Sequence, residues 1–357
     1  MHAEPTSGLH RFQPLTDPRW GEFLQRHPRS SVFHTVEWLN ALQRTYGYEP
    51  IGFTTSPSRA DLQNAALFCR IDSWLTGRRL VSLPFSDHCD LLIDNANDLA
   101  AFSIVLLKTT RKENLRYIEI RPTTQFDTAC LGSHSSYSYC LHQIDLQPSL
   151  DRLFSNCHKG STQRKIRRAE REGLVYLEGR DEVLLNSFYY LSLLTRRRHV
   201  VLPHPRTWFE SLIDSFGSAL KLRVAFKDKH PIAAILTLRH KDTLVYKYGC
   251  SDVRFHELGG VHLLFWRTIE EAKRDGLSVF DLGRSEWTHN GLITFKDRWG
   301  ASRSELRYFR ILNAGRPNGD FVPIEAHWTG RAAKTLLPHI PDRALQAAAG
   351  LIGKHVG

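Results

Sequence analysis

Gly276-Leu277-Ser278-Val279-Phe280-Asp281-Leu282 decides the fold, because it is the second copy of a pattern. The first copy is Asn114-Leu115-Arg116-Tyr117-Ile118-Glu119-Ile120. In each, a turn residue closes a helical pattern and a leucine follows. Four residues after the leucine, an acid stands inside an apolar run. Outward from these copies the agreement continues. Upstream of the first lie strand-like runs at 50–54, 65–71 and 80–84, then a helical pattern over 98–112. Upstream of the second lie runs at 221–227, 233–240 and 243–249, then a helical pattern over 260–274. A strand follows each copy, at 139–146 and 305–312, and a short helix at 292–298 precedes the latter. Both meanders close on Ser-Asp, at Ser86-Asp87 and Ser251-Asp252. A long-period repeat is an organising signal, weighed against the fact that meander-plus-helix is common among α/β proteins. It predicts an α/β (α+β) chain of two tandem halves, 8–146 and 147–312. Each is expected to be a mixed, mostly antiparallel sheet flanked by helices. A basic helical tail spans 313–357.

Composition narrows the class. A chain of 357 residues with 41% hydrophobic and 24% charged residues can bury a core of ordinary proportions. No window approaches the roughly 20 apolar residues of a membrane span. The opening stretch MHAEPTSGLHRFQPL has no apolar core of signal type. The expected location is therefore the cytoplasm, with peripheral contact at the inner face of the membrane through the tail as a further expectation. The six cysteines form no CxxC pair and suggest neither zinc nor a disulfide framework. Asp87-His88-Cys89-Asp90 lacks partners at metal-ligand spacing, so no metal is expected. The net charge of +11 favours phosphate-bearing or acidic partners. No DNA-recognition motif accompanies it. Nucleotide-binding and hydrolase signatures such as GxxxxGKS, GxGxxG, HExxH and GxSxG are absent.

Several residues are candidates for chemistry, each with a plainer reading beside it. Asp281 sits in an apolar strand, and a buried carboxylate needs a partner. Pairing with Arg284 or capping the strand end would only shape the loop. Alternatively, Asp281 and Arg284 position a substrate at a strand's carboxyl end. Lys296 is either a solvated lysine beside core Phe295 and Trp299, or a cation that stabilises an oxyanion. Gly259-Gly260 opens a helix after the strand bearing Tyr246 and Tyr248. It is either an ordinary loop or an amide-lined site that holds a phosphate or polarises a carbonyl. Arg164, Arg167, Arg168 and Arg171 share a helix face. That face is either simply solvated or meets phosphates.

Taken in order, Phe33–Leu39, Leu83-Pro84-Phe85-Ser86-Asp87, Arg164–Gly173, Phe280–Ser285 and Gly291–Gly300 resemble the Fem-type (FemAB-like) branch of the GNAT acyltransferase superfamily. The resemblance covers about residues 10–312. It implies two GNAT-like halves, the second catalytic, and metal-free transfer of an acyl or aminoacyl group to an amine. The co-substrate would be acyl-CoA or aminoacyl-tRNA, with no tightly bound cofactor. The acceptor would be an amine-bearing envelope or polysaccharide precursor. The resemblance implies a catalytic role for Lys296 with Asp281 and Arg284, and substrate contacts for Phe295, Tyr246, Tyr248, Glu37, Trp38, Arg164 and Arg168. Gly259 and Gly260 would hold the donor. One departure stands out: Trp38 is followed by Leu39-Asn40-Ala41-Leu42, without the lysine that peptidoglycan-type members tend to place there. This favours a polysaccharide-type acceptor over a muramyl peptide. A non-catalytic scaffold with the same fold is the reading from a different class.

Overall fold

A computed structural model describes residues 8–74, 76–125, 131, 134–313 and 341–356. In chain order the elements begin with β1 (His10–Phe12), α1 (Pro18–Arg26), α2 (Val36–Tyr46), β2 (Glu49–Thr54), β3 (Ala66–Ser73) and β4 (Gly77–Val81). Then come α3 (Ala96–Lys112), β5 (Tyr117–Ile120), β6 (His134–Asp145), α4 (Leu150–Asn156), α5 (Arg164–Arg171) and β7 (Val175–Gly179). The series continues with α6 (Glu182–His199), α7 (Arg206–Phe216), β8 (Leu220–Lys227), β9 (His230–His240) and β10 (Thr243–Ser251). It ends with α8 (Gly260–Arg274), β11 (Val279–Ser285), α9 (Asn290–Asp297), β12 (Ser302–Leu312) and α10 (Asp342–Val356). Both meander–helix–strand series appear where the repeat places them. β1, α1, α4 and β7 are additions. The helix that carries the arginine face starts as a wider π turn over Lys159–Gln163 and becomes α-helical at Arg164.

Two compact units form, and neither is contiguous in sequence. The first takes the described parts of Met1–Ser138, Leu306–Pro323 and Leu351–Gly357; the second takes those of Tyr139–Glu305 and Ile324–Gly350. In the first, the sheet order is β1-β2-β3-β4-β5, followed by residues 306–312 of β12. β4 and β5 are parallel, and the pairs β1–β2, β2–β3, β3–β4 and β5–β12 are antiparallel. Its core includes Phe53, Phe68, Phe102, Leu106, Ile118 and Ile311. In the second, residues 139–145 of β6 lead into β11-β10-β9-β8-β7, with β10 and β11 parallel. Its core includes Ile144, Ile235, Leu264, Phe265, Phe280 and Trp299. The boundary therefore differs from a cut after Leu146. Residues of the first half's last strand pair with β11, Ile144 opposite Phe280. Those of the second half's last strand pair with β5, Phe309 opposite Ile120. Alternating apolar residues specify which face a strand buries. They do not specify which of two similar sheets receives it.

Local signals set the helix ends. Asp17 caps α1, with Pro18 at its first position, and Thr35 Oγ1 accepts from Trp38 N to start α2. α2 stops at Gly47, whose φ of 70° suits a residue without a Cβ. No described helix is long and apolar enough to cross a membrane. In the tail, the linker at 315–319 and the break at Pro338 lie outside the described residues. The last turn of α10 packs on the first unit: His355 O accepts from Thr76 Oγ1 at 3.0 Å and Arg79 Nη2 at 3.1 Å.

The acid of the first repeat copy is structural. Glu119 is buried between Arg121 (2.8 Å) and Arg310 (2.7 Å). Burial alone would raise its pKa, but the two guanidinium groups outweigh it and bring the carboxyl down to about 2. The unfolded carboxyl titrates near 4.5. The stabilisation is therefore complete above about pH 4.5 and disappears as the pH falls towards 2, a swing of roughly 3 kcal/mol. Urea unfolding at pH 6 and pH 3 should show about 2 kcal/mol of that loss, and Glu119→Gln should flatten it. An unchanged acid slope in the variant would show that Glu119 carries none of it.

Candidate active site

β10 and β11 run parallel through three residue pairs, the last being Val245 opposite Asp281. At that point both strands bulge. On β10, Tyr246 and Tyr248 face the consecutive residues Thr237 and Leu236 of β9. On β11, the step from Asp281 to Arg284 spans only Gln143 to Leu141 of β6. One extra residue in each strand re-aims the chain. Beyond Val245 and Asp281, both strands continue without pairing to each other. Their facing edges offer backbone N–H and C=O groups to an extended ligand.

The β11 bulge is held by its own residues. Asp281 is buried, and its Oδ1 accepts from Gly283 N at 2.7 Å. Gly283 has a φ of 69°, a left-handed conformation that glycine adopts without penalty. The turn directs two carbonyls at Lys296 of α9, whose Nζ donates to Gly283 O at 2.8 Å and Arg284 O at 3.0 Å. Lys296 is buried, not solvated. Arg284 lies over the ring of Tyr139, 4.0 Å from its centroid.

Beside Lys296 is a chain of polar groups that sequence reading misses. Asp297 Oδ1 is 3.3 Å from His142 Nε2 and 2.6 Å from Arg303 Nε. The Arg303 contact, ahead of burial and His142, holds the Asp297 carboxyl below its usual range. Burial, then the Lys296 charge, lowers the His142 pKa, with Asp297 opposing. His142 is therefore neutral at pH 7, with Nε2 as the donor. Cys140 Sγ is 3.7 Å from His142 Nδ1, but the thiol is buried and its pKa is raised by that burial. His142 and Asp297 are 155 residues apart, so no spacing motif could have joined them.

The start of α8 forms the next part of the site. Gly259 has a φ of 80°, and a Cβ there would lie 2.3 Å from Lys165 O. Glycine is required on both counts. The first turn of α8 contains no acid and no side-chain cap. α3, its counterpart in the first unit, is capped by Asn95 and has Asp98 in its first turn. An anion would meet a repelling carboxylate at α3, but open amide donors at α8. Lys165, His256 and Arg298 surround this corner. After burial, their charges help to lower His262 to about 3, so His262 is neutral. His262 stacks on Trp299 and meets Phe295 edge-on, which locks α9 against the start of α8.

The remaining candidates separate. Tyr246 packs on Phe265 of α8. Tyr248 instead accepts from Trp208 Nε1 at 2.9 Å and contacts His204, facing α7. Residues two apart normally share a strand face, and the bulge undoes this. Phe295 belongs to the cluster formed by Phe265, His262 and Trp299. Trp38 is fully buried in the first unit, edge-on to Phe33. This corrects its expected substrate contact, since the apolar face of α2 needs it as core. Glu37 sits in the first turn of α2, where a carboxylate suits the helix dipole. Arg164 and Arg168 lie one turn apart on α5. A cleft of about 770 Å³ is lined by Lys159, Arg164, Arg167, Glu170 and Arg171. A second, of about 360 Å³, adds Lys165, Arg168, Glu172 and Glu257. Neither cleft includes Lys296; the burial and hydrogen bonding of Lys296, not cavity size, identify its corner. Among the described residues, no group of three or more His, Cys, Asp or Glu could hold a metal ion.

Comparison with known proteins agrees with this geometry. Residues 158–296 match the acetyltransferase (GNAT) domain model. No curated protein matches in sequence. Among solved structures, FemX is similar at a TM-score of 0.68 and 15% identity, over 86% of this chain and 98% of FemX. A tandem GNAT protein from the clavulanic acid biosynthesis pathway is similar at 0.54 and 12%, over 87% of this chain and 100% of that one. A conserved protein of unknown function from Bacteroides thetaiotaomicron is similar at 0.50 and 13%, over 77% and 89%. At these identities the likeness establishes the fold: a mixed α/β, FemAB-like tandem-GNAT architecture.

Proposed function

We propose that this chain, a Fem-type tandem-GNAT fold whose residues 158–296 match an acetyltransferase domain, transfers an acyl group to an amine of a cell-envelope or polysaccharide precursor. The observation that carries the proposal is the buried Lys296 ammonium, held by two carbonyls beside strands that have just parted. The acyl donor is a thioester. Its extended arm lies along the open edges of β10 and β11, and its phosphates meet the start of α8 at Gly259-Gly260, close to Lys165. The acceptor amine attacks the donor carbonyl. A C–N bond forms, and the carbonyl oxygen takes up negative charge. Lys296 stabilises that charge in a poorly hydrated setting, where electrostatic interactions are strongest. Collapse breaks the C–S bond, and the thiolate leaves with the proton shed by the amine. Asp281 and Arg284 shape the pocket by holding the bulge and packing on Tyr139. They need not touch the reacting atoms.

The basic clefts along α5 favour one second reading. Arg164 lines both, and with Arg168 it would suit the phosphates of an aminoacyl-tRNA donor. The two readings predict different companions. Mass spectrometry of small molecules released from the purified chain should find an acyl thioester. When that thioester is supplied with an amine, acylated amine and free thiol should appear in equal amounts. Recovery of aminoacylated RNA, with turnover from it, would establish the second reading instead. Failure of both donors to give product would leave the chain a scaffold.

A further inference from the structure

Trp74 and Leu351 are the most exposed large apolar side chains among the described residues, at 86% and 69%. A tryptophan this open is unusual for a surface that meets only water. Both belong to the first unit, and both sit at the last turn of α10. The Trp74 ring meets His355 edge-on at 5.7 Å. Leu351 lies one turn before His355 on the same helix side. This turn is pinned in place. Besides the bonds to His355 O, Ser73 Oγ is 3.0 Å from His355 Nδ1 and Tyr48 donates to Gly353 O at 3.1 Å. The patch is therefore built by the fold and is not a loose end.

Its surroundings are basic. Lys354 is exposed next to Leu351. Arg116, also exposed, donates to Thr76 O, two residues from Trp74. Arg78 on β4 is half exposed and holds Asp72, an acid of the same hairpin, at 2.8 Å. Among these described residues, the rim thus has three cations to one carboxylate. An indole beside an aliphatic side chain, ringed by lysine and arginine, suits the headgroup level of a bilayer.

We propose that the Trp74–Leu351 patch docks the chain on an anionic lipid surface. Trp74 and Leu351 enter the headgroup–acyl boundary, and Lys354, Arg116 and Arg78 face lipid phosphates. The proposal stands apart from the acyl-transfer reading, since none of these residues belongs to that site. It also bears on the membrane contact expected for the tail: the last turn packs on the protein and by packing presents the patch.

Cosedimentation of the full chain with phosphatidylglycerol-containing vesicles tests the proposal. The chain should bind them, more weakly as salt rises, and should bind neutral phosphatidylcholine vesicles far less. Trp74→Ser combined with Leu351→Ser should lower the partition coefficient about tenfold or more. Lys354→Glu should lower it at least about fivefold, on anionic vesicles only. The thermal midpoint should not move, because both apolar side chains are already in water. Three results overturn the proposal. One is failure of the wild-type chain to bind anionic vesicles. Another is equal binding by the double variant. The third is a concentration-dependent dimer that the double variant abolishes, which would assign the patch to a second copy.

Discussion

Replacing Lys296 with methionine should lower kcat for acyl transfer by roughly a hundredfold to a thousandfold, with little change in KM. That is the cost commonly seen when one oxyanion-stabilising group is removed. Methionine keeps much of the lysine stem's volume, so the neighbouring packing survives. Two buried carbonyls, Gly283 O and Arg284 O, lose their donor. Leaving such groups unmet costs about 1–3 kcal/mol, which a domain with 5–15 kcal/mol of stability tolerates. Calorimetry should therefore show a folded variant with a modestly lower midpoint. Steady-state kinetics should show the much larger loss in turnover. If turnover falls only in step with the folded fraction, Lys296 is a structural lysine. If turnover is unchanged, the proposed chemistry does not pass through it.

Glu271→Ala should destabilise the second unit by about 3–5 kcal/mol. Glu271 of α8 accepts from Arg223 Nη2 at 2.6 Å and also from Lys221, both on β8. Arg223 is fully buried and reaches Tyr176 at 3.1 Å and Thr237 as well. Removing the carboxylate leaves the buried guanidinium with only a longer, 3.6 Å contact to a carboxylate, that of the partly exposed Glu178. At roughly 2–4 °C per kcal/mol for a unit of this size, the midpoint should drop by about 10 °C. Combining Arg223→Met with Glu271→Leu should recover most of the loss, because neither charge is then left without a partner. A midpoint within a degree or two of wild type for Glu271→Ala would mean that water already reaches the arginine. The same contact sets the seat of α8, and so the placement of Gly259-Gly260.

The reading of Asp281 shows how far residue patterns reach. An acid in an apolar strand announces a constraint, and the repeat says that there are two. The repeat does not say that the constraints differ. Glu119 is gripped by two arginines, whereas Asp281 accepts a backbone N–H two residues along its own strand. That difference depends on a bulge, and a bulge depends on registers with β6 and β9 that no single strand encodes. The same cause separated Tyr246 from Tyr248. Trp38 was visible as an apolar helix position, and its burial follows from that periodicity; its expected ligand role came only from resemblance. Gly259-Gly260 looked like an ordinary loop because the Lys165 carbonyl that excludes a side chain comes from a distant segment. β7, Val175-Tyr176-Leu177-Glu178-Gly179, has no apolar–polar alternation to read, and its Val175 and Leu177 are exposed.

The crossed strands set a schedule for the ribosome. Ile120 emerges early, yet its β12 neighbour, Phe309, follows almost two hundred residues later. At about 5–20 residues per second, β5 waits roughly 10–40 s for that neighbour. Through that interval β5 exposes an edge able to pair with another chain. β11, in contrast, finds β6 already made when it emerges. The first half to be translated is thus the last to be completed, and the nascent chain is most open to mispairing while the matched acyltransferase domain is being synthesised.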